Sequence, residues 1–286
     1  MTAHERTALV LGGGGSLGVA EVGFVRRITE LGIPIDLVVG TSVGALNAAY
    51  VAFHEDPGHD CLREIWTGLA AHKLFHRNLR SIALNLIRTR MSLYDDSFVR
   101  ELVTPHLASD DLAAARIPLY ITATNLSTGE RHIFDRGSVL QAILASTAIP
   151  GLFPPVRIED DLFVDGAVST PTDIAAAIEL KATSVIAIDL RTGLQRRQQS
   201  HIVDVLLRSL EIMREQRSHC TTEHAQHQAA VVHIRPGLTT GNAPSVSEVE
   251  RLLDQSYEMA CSIFDECWDG SVLRPGSYQV AVPRGA

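Results

Sequence analysis

A serine flanked by two glycines is the first group in this sequence that could do chemistry. Gly40, Ser42 and Gly44 form the pattern G-x-S-x-G within VVGTSVGAL, between an apolar run and a segment rich in alanine and leucine. A serine on a sharp turn from strand to helix projects its hydroxyl from the sheet edge, beside helix amides that favour an anion. The pattern predicts that Ser42 is a nucleophile. The alternative is that the glycines only allow a tight helix–sheet crossing and Ser42 is an N-cap.

A run of glycines earlier in the chain could stabilise negative charge. Residues 12–18 read GGGGSLG and contain G-x-G-x-x-G, directly after an apolar run and before a helical pattern. Backbone amides at a helix start bind either a phosphate or the oxyanion of a tetrahedral intermediate. A dinucleotide site also needs an acid at the carboxyl end of the second strand, and the nearest acid, Asp36, lies at the opposite end. We favour the oxyanion role and keep a nucleotide- or phosphate-binding protein as an alternative.

The base that would take the proton from Ser42 has two kinds of candidate. Asp165 ends the apolar run LFV, and the small Gly166 after it would let a second backbone approach. An aspartate has an ordinary pKa of about 3.9, so burial or a developing charge would have to raise it; a turn aspartate that caps its own backbone is the alternative. A more common Ser-His-Asp triad would use a late histidine. The candidates are His201, His219, His224, His227 and His233, and none is predicted to follow a strand in a loop.

These groups need a sheet whose strand ends bring them to one edge. Apolar runs alternate with helical periods over residues 7–53, which predicts a parallel sheet with right-handed crossovers and an α/β fold. Residues 54–115 are predicted to be a helical cover over one end of the sheet, and residues 195–286 a helical and strand extension. Thr170 and Pro171 predict a helix start. Further strands are predicted at 117–125, 184–189 and 229–235, a hairpin at 154–166, and helices at 19–32, 42–53, 96–107, 201–228 and 246–268.

Composition limits the partners of the chain. Its 286 residues, 45% hydrophobic, are enough for a sizeable core, and we expect one domain over 1–286. A formal charge of -8 would repel nucleic acid. No basic segment precedes a long apolar run, and no run is long enough to span a membrane, so we expect a cytoplasmic protein with at most peripheral membrane contact. Neither zinc nor calcium spacing is present, so no metal is expected.

Four motifs, in the same order along the chain, resemble those of the patatin-like phospholipases, a family of Ser-Asp dyad acyl hydrolases. LVLGGGGSLG resembles their glycine-rich oxyanion loop and GTSVG their nucleophile elbow. ASTAIPGLFPP at 145–155 resembles their apolar segment, and VDGA at 164–167 their acid motif. The resemblance covers residues 7 to about 190. It implies a three-layer α/β/α fold with a mostly parallel central sheet.

The resemblance also implies a role for each motif. Ser42 would be the nucleophile and Asp165 the proton acceptor, so no histidine would be required. The activity implied is hydrolysis of carboxylic esters of phospholipids, lysophospholipids or related lipids through an acyl-enzyme, without a cofactor. A Ser-His-Asp esterase or thioesterase, a phosphate-binding protein and a lapsed hydrolase that only binds remain alternatives. The implied oxyanion residues are Gly13, Gly14 and Gly15, and the other motif glycines are Gly18, Gly40, Gly44 and Gly166.

Two positions depart from the family pattern. Leu17 stands where many members carry a basic residue; if that charge holds a lipid phosphate, this chain would prefer a neutral ester or thioester. Thr170 stands where many members have asparagine, and we expect it to change only a local cap. The predicted cover could also form an apolar acyl pocket, from Leu69, Leu74, Phe75, Ile82, Leu84, Leu86 and Ile87.

Overall fold

A computed structural model describes residues 6–56, 60–71, 91–191, 205, 208–213, 215, 228–240 and 244–279. The described strands are β1 (Thr7–Leu11), β2 (Leu37–Thr41), β3 (Leu119–Asn125), β4 (Arg131–Phe134), β5 (Val156–Ile158), β6 (Asp161–Asp165), β7 (Ser184–Ile188), β8 (Ala230–Arg235) and β9 (Gly276–Gln279). The described helices are α1 (Val19–Glu30), α2 (Val43–Phe53), α3 (Asp60–Ala71), α4 (Ser97–Val103), α5 (Val139–Ser146), α6 (Ile174–Glu179) and α7 (Val246–Cys267).

These strands pair into one sheet in the order β5–β6–β3–β2–β1–β7–β8–β9, with β4 also paired to β3. All pairings from β3 through β2, β1, β7 and β8 to β9 are parallel. The pairings of β3 with β4 and β6, and of β5 with β6, are antiparallel. The predicted α/β fold with a mostly parallel central sheet is confirmed.

Alternate residues of the central strands belong to two separate apolar clusters, one on each face of the sheet. This explains why these strands are apolar throughout. Leu9 and Leu11 of β1 pack with α1, α2, α5 and α7 on one face of the sheet. Ala8 and Val10 pack with α6 on the other face. A parallel sheet needs such cover on both faces, and the result is the three-layer arrangement.

The register on β3 brings the ends of β2 and β6 together. β4 pairs with residues 121–124 of β3. Some of these four residues also pair with β2, and the others also pair with β6. Because a strand has only two edges, β2 and β6 share the edge opposite β4. Thr41 lies opposite Thr122, and Asp165 lies opposite Ala123. The two strands therefore meet end to end, with Asp165 beside the residue that precedes Ser42.

The helix start predicted at Thr170 and Pro171 was wrong. α6 begins at Ile174, and the Asp173 side chain is its cap, accepting a hydrogen bond from the Ala176 amide at 3.0 Å. The Pro171 carbonyl instead accepts a hydrogen bond from the glycine loop. The sequence pattern of a threonine before a proline cannot show that the Pro171 carbonyl is bound by the glycine loop.

Several expectations fall beyond the described residues or differ from them. β4 and β9 were not predicted, because RHIF and GSYQ are short and carry no continuous apolar run. The predicted cover contains α3 and α4, but its residues 72–90, with six of the seven suggested pocket residues, lie outside the described part of the chain. Most of the helix predicted at 201–228 lies outside it as well. None of the described helices is long and apolar enough to cross a membrane.

Candidate active site

Ser42 occupies the turn between β2 and α2 in a strained backbone conformation. Its φ is 55° and its ψ is -126°, a region that residues other than glycine rarely adopt. Ser42 stands at the N-cap position of α2, as the alternative interpretation predicted, but its side chain makes no capping hydrogen bond to the helix. This sharp turn from strand to helix is the geometry that the G-x-S-x-G pattern predicts.

The glycines on either side of Ser42 are required by close contacts. A Cβ atom on Gly44 would lie 2.3 Å from the carbonyl oxygen of Leu11, at the end of β1. A Cβ atom on Gly40 would lie 2.6 Å from the Cα atom of Ala45. The first turn of α2 therefore lies directly against the sheet, and Ser42 is held at the edge where the glycine loop begins.

Ser42 and Asp165 are hydrogen-bonded although 123 residues separate them. The Ser42 Oγ donates to Asp165 Oδ2 at 2.7 Å, and both side chains are buried. The second carboxylate oxygen, Oδ1, accepts from the Ala167 amide at 2.8 Å. A Cβ atom on Gly166 would lie 2.2 Å from the Thr122 carbonyl oxygen, so only glycine fits after the acid. The capping role and the contact with serine thus use different oxygens of one aspartate.

A second serine supports the strained turn. The Ser42 amide donates to the Oγ of Ser146, at the end of α5, at 2.8 Å. The Ser146 hydroxyl donates in turn to the Thr122 carbonyl at 2.6 Å. Sequence reasoning missed this residue, because a lone hydroxyl in the segment ASTAIPGLFPP carries no signal of its own. The contact satisfies the Ser42 amide in the positive-φ conformation.

The glycine loop presents amides beside the serine turn. The Gly13 amide donates to the Pro171 carbonyl at 2.8 Å, so in this structure it already has an acceptor. Gly14 packs against Leu190, with room for no side chain. Gly15 is exposed at a φ of 58°. Within the described residues, the Gly14 and Gly15 amides have no acceptor, which leaves these two of the three expected oxyanion donors free to bind one.

A buried polar cluster ties the last glycine of the loop to the helix that begins at Ser42. Asn47 of α2 donates through Nδ2 to the Gly18 carbonyl at 2.9 Å and to Glu21 Oε2 at 2.8 Å. The Trp66 indole donates to Asn47 Oδ1 at 3.1 Å. Burial raises the pKa of Glu21 well above its ordinary value, although the hydrogen bond from Asn47 opposes the shift. The isolated asparagine in an apolar helix was the available sequence signal for this cluster.

His233, a candidate triad base, is engaged elsewhere. On β8 it lies three strand spacings from β2, or about 14 Å. Its Nε2 donates to Asp189 Oδ2 at 3.0 Å, and Arg191 donates to the same carboxylate. Burial opposes ionisation of Asp189, but these two partners hold its pKa well below the ordinary value. The other candidates, His201, His219, His224 and His227, lie outside the described residues.

The acid considered for a nucleotide site lies away from the glycine loop. Asp36 accepts from the Thr7 amide at 2.7 Å, at the end of β2 far from the glycine loop. Leu17, at the departure from the family pattern, packs against the apolar core. The described part of the chain has no group of three His, Cys, Asp or Glu that could hold a metal. What Ser42 and Asp165 could do by themselves is attack by a hydroxyl with a carboxylate as base.

Sequence comparison finds similarity between this chain and patatin-like phospholipases. A family model described as Patatin-like phospholipase matches residues 9–178. Lysophospholipase NTE1 of Phaeosphaeria nodorum is 28% identical over 189 residues, 65% of this chain and 12% of that protein. Patatin-like phospholipase domain-containing protein 7 of Mus musculus is 28% identical over 196 residues, 66% of this chain and 14% of that protein. The structure of VipD from Legionella pneumophila aligns with a TM-score of 0.47 at 14% identity, over 92% of this chain and 67% of that chain. The chain thus spans only a small part of the length of its curated relatives.

Proposed function

The chain belongs to the patatin-like phospholipase family, and on that premise we propose that it is a serine hydrolase of lipid acyl esters with Ser42 as nucleophile and Asp165 as base. One observation carries the proposal: the hydroxyl of a strained, buried serine donates to a carboxylate at 2.7 Å. Within the described residues, the Ser42 hydroxyl has no other hydrogen-bond partner.

In the first step the Ser42 oxygen forms a bond to the acyl carbonyl carbon, and its proton passes to Asp165 Oδ2. Negative charge develops on the former carbonyl oxygen, which the Gly14 and Gly15 amides would bind. The ester C–O bond then breaks, and the leaving alcohol takes the proton from Asp165. The products of this step are the free alcohol and an acyl ester of Ser42.

In the second step water attacks the acyl-enzyme and Asp165 takes a proton from that water. Collapse of the intermediate releases a carboxylic acid and returns the proton to Ser42. Two of the relatives above carry the names lysophospholipase and patatin-like phospholipase. We therefore propose monoacyl glycerophospholipids as the substrate class to test first, with a neutral monoacylglycerol beside them because Leu17 replaces a basic residue.

The test is intact-mass labelling with a fluorophosphonate, followed by release of fatty acid from a lysophospholipid. We expect one label per chain, none in Ser42→Ala, and a loss of about 10²- to 10⁴-fold in labelling rate in Asp165→Asn. The matched controls are Ser127→Ala and Asp161→Asn, both at sites away from the contact, and Asp161 lies on the same strand as Asp165. The controls should label at the native rate.

Three results would refute the assignment. Labelling that persists in Ser42→Ala would exclude the nucleophile. Labelling that survives in Asp165→Asn but disappears when one of the late histidines is changed to alanine would replace the dyad with a triad. A folded protein that takes no label and binds a nucleotide with or without Ser42 would favour a phosphate-binding role for the glycine loop.

A further inference from the structure

Asp173 is a buried carboxylate that the steps above do not use. Its exposed fraction is 0%, and it accepts hydrogen bonds from three of the described elements. Oδ1 accepts from Arg131 of β4 at 2.8 Å and from the Ala176 amide of α6 at 3.0 Å. Oδ2 accepts from the Thr122 hydroxyl of β3 at 2.9 Å. The carboxylate therefore ties two strands of the sheet to the backbone that precedes α6.

Capping of α6 does not by itself explain an acid at this position. Burial raises the pKa of Asp173, and the donors around the carboxylate only partly oppose that shift. A serine or an asparagine would cap so short a helix without placing a carboxylate in the interior. The second carboxylate oxygen allows Asp173 to bind Thr122 and Arg131 while it also caps the helix.

The contact with Thr122 leads to the serine turn. Thr122 lies opposite Thr41, the residue before Ser42, in the pairing of β3 with β2. The Thr122 carbonyl accepts from the Ser146 hydroxyl at 2.6 Å, and the Ser146 hydroxyl accepts from the Ser42 amide at 2.8 Å. Because Asp173 holds the Thr122 side chain, it restrains the residue against which the turn is built.

The backbone just before Asp173 leads to the glycine loop. The Pro171 carbonyl accepts from the Gly13 amide at 2.8 Å. A Cβ atom on Gly12 would lie 2.6 Å from the Thr172 hydroxyl, so this backbone also packs closely against the start of the loop. Anchoring Asp173 to β3 and β4 therefore restricts where the Pro171 carbonyl can hold the loop.

We propose that Asp173 is a positioning residue that keeps the serine turn and the glycine loop at a fixed distance from each other. The role rests on the hydrolase function proposed above, because it places the nucleophile relative to the amides that would bind the oxyanion. A misplacement of about 1 Å between reacting groups costs about 10²-fold in rate. Removal of the carboxylate should therefore lower kcat and leave KM nearly unchanged.

The first test is hydrolysis of p-nitrophenyl butanoate by Asp173→Ala and Thr122→Val, under conditions where circular dichroism shows both variants to be folded. We expect kcat to fall about 10²-fold in Asp173→Ala and about tenfold in Thr122→Val, with KM within about twofold of the native value. The double variant should be no slower than Asp173→Ala, because both substitutions break the same contact. The matched control is Val185→Ala, which removes buried methyl groups from the apolar cluster packed against α6 and should lower stability without changing kcat.

The second test does not depend on activity. Hydrogen exchange of the Gly13 and Ser42 amides, followed by NMR, reports the two restrained segments directly. In Asp173→Ala both amides should exchange about tenfold faster than in the native chain, each rate being taken relative to the amides of α1 to remove the effect of global unfolding. In Val185→Ala these relative rates should stay at their native values.

The two tests separate the positioning role from the hydrolase function. Native kcat in the folded variants, or native exchange at both amides, would show that Asp173 only caps α6 and would overturn the role. An equal loss of kcat in Val185→Ala would overturn it as well, because lost stability would then explain the effect. If Asp173→Ala does not fold, Thr122→Val decides. If the native chain hydrolyses no ester and takes no label, the hydrolase function fails, and the exchange rates alone decide whether Asp173 restrains both segments.

Discussion

Replacing Glu21 with glutamine should make the free energy of unfolding less dependent on pH. Glu21 is fully buried in the first turn of α1, and its Oε2 accepts from Asn47 while its Oε1 has no partner among the described residues. Burial is the main reason that its pKa is raised well above the ordinary value. The folded protein therefore keeps a proton on Glu21 under conditions where the unfolded chain has released it.

The sign of the effect follows from this difference in bound protons. Below the unfolded pKa of about 4.5 both states are protonated, and Glu21 adds no pH dependence. Above it, and up to the folded pKa, the folded state holds one more proton, so stability falls by about 1.4 kcal/mol for each pH unit. Glutamine does not titrate and still offers an oxygen to Asn47. The variant should therefore gain stability relative to the native chain as the pH rises through this window.

Urea unfolding at about pH 5, 6 and 7 measures the difference between native and variant free energies at each pH. The expected result is a difference that grows by about 1.4 kcal/mol per unit until the folded pKa is passed. Glu101→Gln, on the exposed surface of α4, is the matched control for the substitution itself. A constant difference for Glu21→Gln would mean that Glu21 is ionised in the folded protein, and the reasoning from burial would be refuted.

Two further variants test the contacts around the site. Ser146→Ala removes the acceptor of the buried Ser42 amide. The free energy of unfolding should fall by about 1–3 kcal/mol, and fluorophosphonate labelling should slow about tenfold. Labelling at the native rate would show that the strained turn keeps its conformation without Ser146. Asp189→Asn removes the carboxylate that accepts from the buried Arg191 guanidinium and leaves Glu215, 4.0 Å away, as its remaining acidic partner. The free energy of unfolding in urea should fall by about 3–5 kcal/mol, whereas Asp161→Asn should not lower it; an unchanged midpoint would contradict the pairing.

The parts of the fold and site that were predictable from the sequence are those encoded locally. Gly40 and Gly44 flank Ser42 within five residues, and the strand and helix around them are legible from periodicity. Asp165 and Gly166 are likewise adjacent, and the contact distances explain why glycine is needed there. The alternation of strands and helices predicted the parallel sheet, and the full burial of β1, β2 and β7 agrees with a sheet that is covered on both faces.

The parts that were not predictable depend on neighbours far apart in the sequence. Ser146 acts on a backbone amide 104 residues away, and nothing within its own segment marks it. The Gly13 amide is taken by the Pro171 carbonyl, so the glycine pattern alone could not tell which loop amides are free. The same contact accounts for the misplaced helix start, since Asp173 caps α6 instead.

The end-to-end meeting of β2 and β6 on one edge of β3 has a consequence for the order in which the site forms. During synthesis Ser42 leaves the ribosome 123 residues before its partner, and β6 can pair only after β3 exists. Closing so long a loop is among the slower events in folding, because its entropic cost precedes any contact that repays it. The Ser42 hydroxyl and the Asp165 carboxylate are therefore brought together late, so a partly synthesised chain has the proposed nucleophile without its proposed base.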